Sequence, residues 1–407
     1  MTKAELLELI RNGENSFVEF KRDDVENFKL ARELVAFGNM GGGRVLLGVD
    51  DDRTVVGVTR PDLEQWVMTT CRTKIRPELV PDYAVFPDVE PDKDVAVVTV
   101  ERGLSVHHVW HDNHRTYLMR VGSQSREASF EELTRLSQQR GYCRIELRPV
   151  SGSSFADLDV RRLKDYFSRV RQQEAPENGD VDAWRQLLTN TEFLDDGGAC
   201  TAAGLLLFGN NPYRFLPHDA IDAVAFPGTE KDYATLEHTQ LKGPMVGLFY
   251  KTPDGVKLFE PGLVELAAYF IRRNTGVTAH LDGAIRVERS DYPEEVVREA
   301  ITNALVHRDY ALTATDIELS IYADRLEIIS PGSLPNGITP DRMRVGCRSS
   351  RNQLVRDVMR DYGYMEHLGM GVPRKLIKGM RQHNDTEPDL IEQDESFLVR
   401  LWKEKKA

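Results

Sequence analysis

Two glutamates, one lysine and a run of three aspartates near the start of the chain have the residue types and spacing that phosphodiester chemistry requires. Glu14, Glu19 and Lys21 lie in the segment GENSFVEFKRD, and three consecutive aspartates occupy positions 50–52 after the apolar segment RVLLGV. Converging carboxylates repel one another, so a proton, a basic side chain or a divalent cation must offset their charge. Hard oxygen ligands favour Mg²⁺ or Mn²⁺, which activate water for attack on a phosphodiester. These residues therefore point to a nuclease, with Lys21 as a point charge on a phosphate oxygen.

Two strands and an intervening helix must position these side chains. Alternation places Phe17, Glu19 and Lys21 on one face of the first strand and Val18 and Phe20 on the other. Apolar residues at helical spacing between 25 and 35 predict a helix, which the glycines at 41–43 end. An alternative stays open from residue types alone: the glutamate and lysine form a same-face strand pair and the aspartates a solvated turn.

The pattern E-x4-E-x-K, the helix ELVAFGNMGGG, the strand RVLLGVDDD and the segment YLMRVGSQSR together resemble the Schlafen AlbA-type domain over roughly residues 12–125. In nuclease members of that family two glutamates and an aspartate form a metal-dependent RNA-cutting site. The resemblance assigns these roles to Glu14, Glu19 and Asp51, with Asp50 as the neighbouring alternative metal ligand and Lys21 beside them. Other members bind nucleic acid or regulate without cutting, so the acids are necessary for cleavage without being sufficient.

The resemblance also implies a nucleic-acid partner, RNA in preference to DNA. Since the formal net charge of the chain is -12, contact with nucleic acid requires local basic residues rather than overall charge. Arginine forks match phosphate oxygens, and the candidates are Arg22, Arg120, Arg126, Arg344 and Arg348. Residues 157–172 also form a basic helix, for which a solvated face is the usual explanation and a nucleic-acid surface the alternative.

Length and composition predict a protein of the cytoplasm with more than one domain. A chain of 407 residues exceeds one ordinary core. No apolar run approaches the roughly 20 residues of a membrane helix, and the first ten residues form a capped helix rather than a signal peptide. We expect an α+β protein with an N-terminal Schlafen AlbA-like α/β domain at 1–142, a mixed middle region at 143–290 and a C-terminal α/β sandwich at 291–407.

The C-terminal region carries a second pattern, in the segment YPEEVVREAITNALVHRDY. Glu299, Asn303 and His307 follow at intervals of four and share one helix face, and a hairpin and the sequence GMG follow. This resembles the ATPase module of gyrase, histidine kinases and their relatives (GHKL), in the divergent form found with AlbA-type domains and in RecG-related proteins. The resemblance implies that Glu299 activates water, Asn303 binds the magnesium of ATP, and the backbone at Gly369 and Gly371 binds phosphates.

One departure from the GHKL pattern matters. Where that family places the aspartate that recognises adenine, this sequence has Ser330, Pro331 and Gly332. The sequence as a whole predicts a Schlafen-like, metal-dependent endoribonuclease acting on structured RNA such as tRNA, with a C-terminal module that regulates or dimerises, in a homodimer. The alternative is an ATP-responsive, DNA-binding transcriptional regulator without catalysis.

Overall fold

A computed structural model of the protein has a mixed α+β structure with 36% helix and 27% strand, which confirms the predicted fold class. The structure describes residues 1–140, 144–217, 219–282, 285–334, 338–346, 351–365, 370–393 and 395–403. The chain divides into two compact units, Met1–Cys143 and Arg144–Ala407. None of the helices in the described part of the chain combines the length and apolar composition that crossing a bilayer requires.

The first unit contains four helices and nine strands among its described residues. The helices are α1 Lys3–Asn12, α2 Asn27–Asn39, α3 Leu63–Lys74 and α4 Phe130–Gln139. The strands are β1 Val18–Lys21, β2 Gly43–Leu47, β3 Ile75–Arg76, β4 Asp82–Glu90, β5 Lys93–Val100, β6 His108–His111, β7 His114–Thr116, β8 Leu118–Val121 and β9 Gln124–Glu127. Capping boxes are present at both ends of the unit, at Thr2 with Glu5 and at Ser129 with Glu132.

The main sheet of the first unit has the order β1-β2-β5-β4, with β1 and β2 parallel and the other neighbours antiparallel. Both of its faces are covered. Val18 and Phe20 pack with Leu6 of α1 on one face, whereas Val45 of β2 packs with Leu34 of α2 on the other. Because β1 alternates, its polar side chains lie on the face that α2 covers, and this face determines what the carboxylates contact.

The second unit begins with short 3₁₀ turns at Ile145–Leu147 and Phe155–Asp157 and contains two π-helical segments, Asp165–Val170 and Gly371–Ile377. Its α-helices are α5 Val160–Lys164, α6 Val181–Asn190, α7 Ala202–Phe208, α8 Pro212–Phe215, α9 Leu263–Asn274, α10 Glu294–His307, α11 Pro340–Arg344, α12 Gln353–Asp361 and α13 Lys378–Asn384. Its strands are β10 Ile221–Ala225, β11 Glu237–Leu241, β12 Leu248–Thr252, β13 Gly255–Glu260, β14 Val277–Asp282, β15 Ile285–Ser290, β16 Ile317–Ile321, β17 Arg325–Pro331, β18 Asp389–Gln393 and β19 Ser396–Trp402.

A six-stranded sheet with the order β11-β10-β16-β17-β19-β18 forms the centre of the second unit. Only the β10–β16 pair is parallel among its described strands. Helix α9 packs on β10 and β11, and α10 packs on β17. One hydrophobic cluster extends from Val150 to Leu401, so the middle region and the C-terminal region share a core. A separate boundary at residue 290 stays a prediction.

Candidate functional site

Strand β1 places Glu19 inside the first unit rather than on its surface. Val18 and Phe20 are 2% and 0% exposed and occupy the core on one face, so alternation directs Glu19 to the face under α2. Glu19 is only 5% exposed there. The parallel register pairs it with Val45 of β2. Glu19 is therefore a buried residue, and it pairs with Lys21 on the same strand face, as the open alternative expected.

Two basic side chains hold the Glu19 carboxylate. Lys21 Nζ lies 2.5 Å from Glu19 Oε1, and Arg120 Nη2 lies 2.7 Å from Glu19 Oε2. Burial lowers the pKa of Lys21, but the hydrogen bond and charge of Glu19 outweigh burial, so that pKa lies above its usual value. Glu19 Oε2 is buried and accepts no hydrogen bond from the described residues, so its interaction with Arg120 is an ion pair.

The other predicted acids lie around this pair. Glu14 Oε1 accepts a hydrogen bond of 2.9 Å from the Phe20 amide. Burial raises the pKa of Glu14, and the negative charges of Glu19 and Asp51 raise it further, against the opposing effects of the Phe20 amide and Lys21. The structure therefore places Glu19, Lys21 and Asp51 within electrostatic range of Glu14.

Asp50 has different surroundings. Its Oδ2 lies 3.7 Å from Arg22 Nη1, and its Oδ1 accepts a hydrogen bond of 3.1 Å from the Asp51 amide. Both side chains of the Arg22–Asp50 pair are exposed, so this contact contributes little to stability. Of the two aspartates considered as metal ligands, Asp51 is the one whose charge acts on Glu14.

Sequence reasoning missed Glu33, which belongs to the same network. Glu33 Oε2 lies 2.9 Å from Arg120 Nη1 and accepts a hydrogen bond of 2.5 Å from the Ser125 hydroxyl. Burial and the charge of Glu19 raise the pKa of Glu33. A signal was present: in α2, Glu33 follows Leu30 by three residues and precedes Phe37 by four, so it interrupts the apolar face of the helix. An acid on such a face requires a partner, and here the partner is Arg120.

The acidic side chains of the first unit have the oxygen ligands that a hard divalent cation prefers. Their positions in the described residues do not yet form a site that would hold one. Carboxylates with a buried, hydrogen-bond-free oxygen at Glu19 are suitable ligands for Mg²⁺ or Mn²⁺. Across the described ranges, however, no group of three or more His, Cys, Asp or Glu side chains converges in a geometry that would hold a metal ion. Lys21 and Arg120 occupy the Glu19 oxygens instead, so cation binding would require Lys21 to leave Glu19 Oε1.

The five candidate nucleic-acid arginines differ in exposure. Arg120 has a side chain 1% exposed, donates hydrogen bonds to Glu33 and to the Asn15 carbonyl, and forms an ion pair with Glu19, so we assign it to positioning Glu19. Arg126 is exposed and forms a two-pronged ion pair with Glu132, which lowers the pKa of Glu132 to about 2. The other exposed or partly exposed candidates are Arg22, paired with Asp24 and Asp50, and Arg344, paired with Glu387. Arg348 lies outside the described residues.

A second group of predicted residues meets in the C-terminal region. On α10, Asn303 Nδ2 donates a hydrogen bond of 3.1 Å to Glu299 Oε1, and Glu299 is 3% exposed. Gly371 approaches so closely that a Cβ there would lie 1.9 Å from Glu299 Oε1. Lys375, which the sequence did not single out, lies 3.5 Å from Glu299 Oε2. Gly369 falls outside the described residues, so three of the four predicted nucleotide-binding residues are seen together.

The segment 330–332, which departs from the GHKL pattern, packs against the end of α10. The Ser330 hydroxyl donates a hydrogen bond of 2.8 Å to the Ala304 carbonyl, and Ser330 is 6% exposed. Gly332 has φ +112°, a conformation that favours glycine. Burial of His307 at the end of α10 lowers its pKa to about 4. This segment therefore consists of tightly packed backbone at the strand end.

We expect the Gly332→Ala variant to destabilise the second unit by about 2 kcal/mol or more, because positive φ and steric contact act together. An added Cβ would lie 2.3 Å from Arg351 Nη1 and 2.6 Å from the Asp309 Cβ. Gly363→Ala is the matched control, since Gly363 also has positive φ, +80°, but nothing within 4 Å of the added atom. Denaturant unfolding compares the two variants, and equal losses would show that the contact with Arg351 is unimportant.

A buried acid beside the end of α10 gives the second unit a pH-dependent stability. Burial raises the pKa of Asp219 to about 7, although the charges of Arg308 and Arg148 oppose this effect and Asp316 adds to it. Arg308 Nε lies 3.7 Å from Asp219 Oδ1. Because the folded pKa is above the unfolded value of 3.8, the stabilising contribution is complete below that value and is lost as pH rises through about 7.

We therefore expect Asp219→Asn to flatten the pH dependence of the stability of the second unit between about pH 4 and about pH 7, the interval between the unfolded and folded pKa values, with a total effect of up to about 4 kcal/mol. Thermal unfolding at several pH values measures the effect. The exposed Asp222, which pairs with His238, provides the control variant Asp222→Asn. The assignment fails if the parent and Asp219→Asn proteins lose stability in parallel over this pH range.

Comparisons with known proteins agree with both resemblances. Residues 14–129 match the family model "Schlafen, AlbA_2", and residues 314–401 match "Putative ATP-dependent DNA helicase recG C-terminal". No curated protein matches the chain significantly. The crystal structure of the DIP2311 protein from Corynebacterium diphtheriae is 19% identical, with a TM-score of 0.46 over 98% of this chain and 79% of that chain. The chain therefore carries a Schlafen AlbA_2 domain followed by a domain of the RecG C-terminal family.

Proposed function

We propose that the protein acts on nucleic acid through its AlbA_2 domain, as a metal-dependent endoribonuclease whose substrate is structured RNA such as tRNA. The observation that carries the proposal is that Glu19, Lys21 and Asp51 all lie within electrostatic range of Glu14, inside the segment that matches the Schlafen model. Glu14, Glu19 and Asp51 would hold Mg²⁺ or Mn²⁺, which when bound supplies charge stabilisation for the phosphodiester and lowers the pKa of water.

The basic residues of the site have separate tasks in this proposal. Lys21 moves from Glu19 Oε1 to a phosphate oxygen of the substrate, so its positive charge leaves the carboxylate when the phosphodiester arrives. Arg120 stays in place, because its guanidinium is buried and also contacts Glu33 and the Asn15 and Val18 carbonyls. Arg120 therefore keeps Glu19 in its orientation, while the departure of Lys21 frees Glu19 Oε1 to bind the cation.

The test uses purified protein with end-labelled tRNA and, separately, duplex DNA, each with Mn²⁺ and with chelator. Cleavage of tRNA only in the presence of Mn²⁺ supports the endoribonuclease. A mobility shift of duplex DNA, with no cleavage of either nucleic acid in Mn²⁺ or in chelator, supports the second candidate. This candidate is an ATP-responsive DNA-binding regulator without catalysis. The specific observation that favours the second candidate is the pairing of both Glu19 oxygens with basic side chains.

For the C-terminal region we propose a nucleotide-binding-like module that regulates or dimerises the protein. Glu299, Asn303 and Gly371 would form the candidate ATP site, and Lys375 beside Glu299 would add a cation for phosphate. Calorimetric titration with ATP and Mg²⁺ tests it, with Lys375→Met expected to weaken binding more than the exposed Lys378→Met. Dimer formation and a cytoplasmic location remain predictions from sequence.

A further inference from the structure

An open groove in the second unit has a cavity volume of about 630 Å³. One wall consists of α5 and the π-helical segment Asp165–Val170, and the other consists of β12. This volume is in the range of about 300–1,000 Å³ that is usual for ligand sites. The wall contains the basic segment noted in the sequence, and neither the acidic site nor the α10 site uses it.

The groove carries an excess of positive charge in a protein whose total charge is negative. Arg161, Lys164, Arg169 and Lys251 line it, against one acid, Asp165. Both arginines have carboxylate partners. Lys164 and Lys251 form no ion pair with any residue that the structure describes. Because the chain has a net charge of -12, two uncompensated lysines facing one groove mark a local site for an anion.

Aromatic rings lie beside these cations. Tyr250 lines the groove, is 45% exposed, and packs edge-on against Phe259 with ring centroids 5.9 Å apart. Arg169 lies over the ring of Phe249, 5.1 Å from its centroid, and Asp165 fixes it at 2.5 Å. Bases of unpaired nucleic acid stack on such rings while neighbouring cations bind the phosphates. The groove therefore combines both kinds of contact.

The wall of the groove has an unusual backbone. Over Asp165–Val170 the helix widens, and the Arg171 amide bonds to the Tyr166 carbonyl five residues earlier at 2.8 Å. Single π-helical turns recur at functional sites in proteins. Ser168 of this turn and Gln172, two residues after it, also line the groove and supply a hydroxyl and an amide. These groups add hydrogen-bond capacity without negative charge.

We propose that this groove binds a single-stranded nucleic-acid segment, with phosphates on Lys164 and Lys251 and a base stacked on Tyr250. A duplex is disfavoured because its bases are not available to the tyrosine ring. An open groove also suits a strand better than an enclosed small molecule. The site adds a second nucleic-acid contact in the second unit, and it does not depend on whether the AlbA_2 domain cleaves RNA.

The test is fluorescence anisotropy of the full-length protein with a labelled oligouridylate of about eight nucleotides, in chelator so that no cleavage occurs. Lys164→Glu and Lys251→Glu are each expected to weaken binding about fivefold or more. Arg185→Glu is the control, because Arg185 is an exposed residue of α6 that does not line the groove and the variant changes the charge equally. Circular dichroism melting confirms that each variant is folded.

A second pair of variants separates stacking from charge. Tyr250→Ala is expected to weaken binding about fivefold or more, whereas Tyr250→Phe keeps the ring and retains the affinity. A photoreactive 4-thiouridine in the oligonucleotide should crosslink to the peptide that contains Tyr250. Crosslinking confined to the first unit, or parent affinity in both lysine variants, would overturn the proposal.

The control variant and ATP binding provide two further tests of the groove. An equal loss of affinity in Arg185→Glu would attribute the effect to total charge and overturn the groove as a site. If the groove variants weaken ATP binding and leave oligouridylate binding unchanged, the groove holds a mononucleotide and the strand proposal is wrong. Glu19→Gln, which removes the acidic site, should leave oligouridylate binding sensitive to Lys164→Glu, so failure of cleavage and failure of the groove are distinguishable.

Discussion

Replacing Glu19 with glutamine is expected to lower the proposed Mn²⁺-dependent RNA cleavage by about a thousandfold, since charge stabilisation by a metal supplies several kcal/mol. Glutamine keeps the shape of the side chain but removes the negative charge of the carboxylate, which forms ion pairs with Lys21 and Arg120. The buried environment of Glu19 makes this loss specific, because no other acid lies at that position on β1. Cleavage of end-labelled tRNA under single-turnover conditions measures the change.

The same assay on Asp51→Asn should show a comparable loss, because the charge of Asp51 acts on the same cluster. Glu8→Gln is the matched control for both, since Glu8 is an exposed residue of α1 and the change in charge is identical. RNA affinity in chelator should stay close to the parent value in all three variants. Full cleavage by both Glu19→Gln and Asp51→Asn would exclude the acidic cluster as the cutting site.

The Arg120→Met variant is expected to destabilise the first unit by about 3–5 kcal/mol, because it leaves buried carboxylates without their partner. Arg120 is held between Glu19 and Glu33, at 2.7 and 2.9 Å, and its side chain is 1% exposed. It also donates to the Asn15 and Val18 carbonyls, which lose those hydrogen bonds. Urea unfolding followed by circular dichroism measures the free energy of unfolding.

Arg126→Met provides the comparison within the same domain. Arg126 also forms an ion pair, with Glu132, but half of its side chain is exposed, so its loss should cost less than about 1 kcal/mol. Adding Glu33→Gln to Arg120→Met should recover part of the lost stability, since one unpaired charge is removed. Equal unfolding free energies for the Arg120 and Arg126 variants would contradict the positioning role of Arg120.

The burial of Arg120 and Arg126 could not be predicted from the sequence. Arg120 and Arg126 belong to the same short segment, and both were candidates for phosphate contact on residue type alone. Their burial differs because β8 lies beside α2, which covers Arg120, whereas Arg126 lies on β9 at the surface. Local sequence records the periodicity of each strand but not which neighbouring element covers it.

In the C-terminal region the sequence predicted one contact of Glu299 and missed another. The spacing of four residues placed Glu299 and Asn303 on one helix face, and the hydrogen bond between them confirms that prediction. The approach of Lys375 to Glu299 could not be read from spacing, because the π-helical turn Gly371–Ile377 changes which side chains face α10.

The sequence by itself determined the two domain families, the mixed α+β class, both capping boxes and the shared face of Glu19 and Lys21, since these depend on local periodicity and short-range hydrogen bonds. Tertiary structure alone decided that Glu19 is buried, that Arg120 and Glu33 complete its network, and that the basic segment forms one wall of a groove. These contacts join residues far apart in the chain, where burial removes the solvent that would otherwise screen their charges.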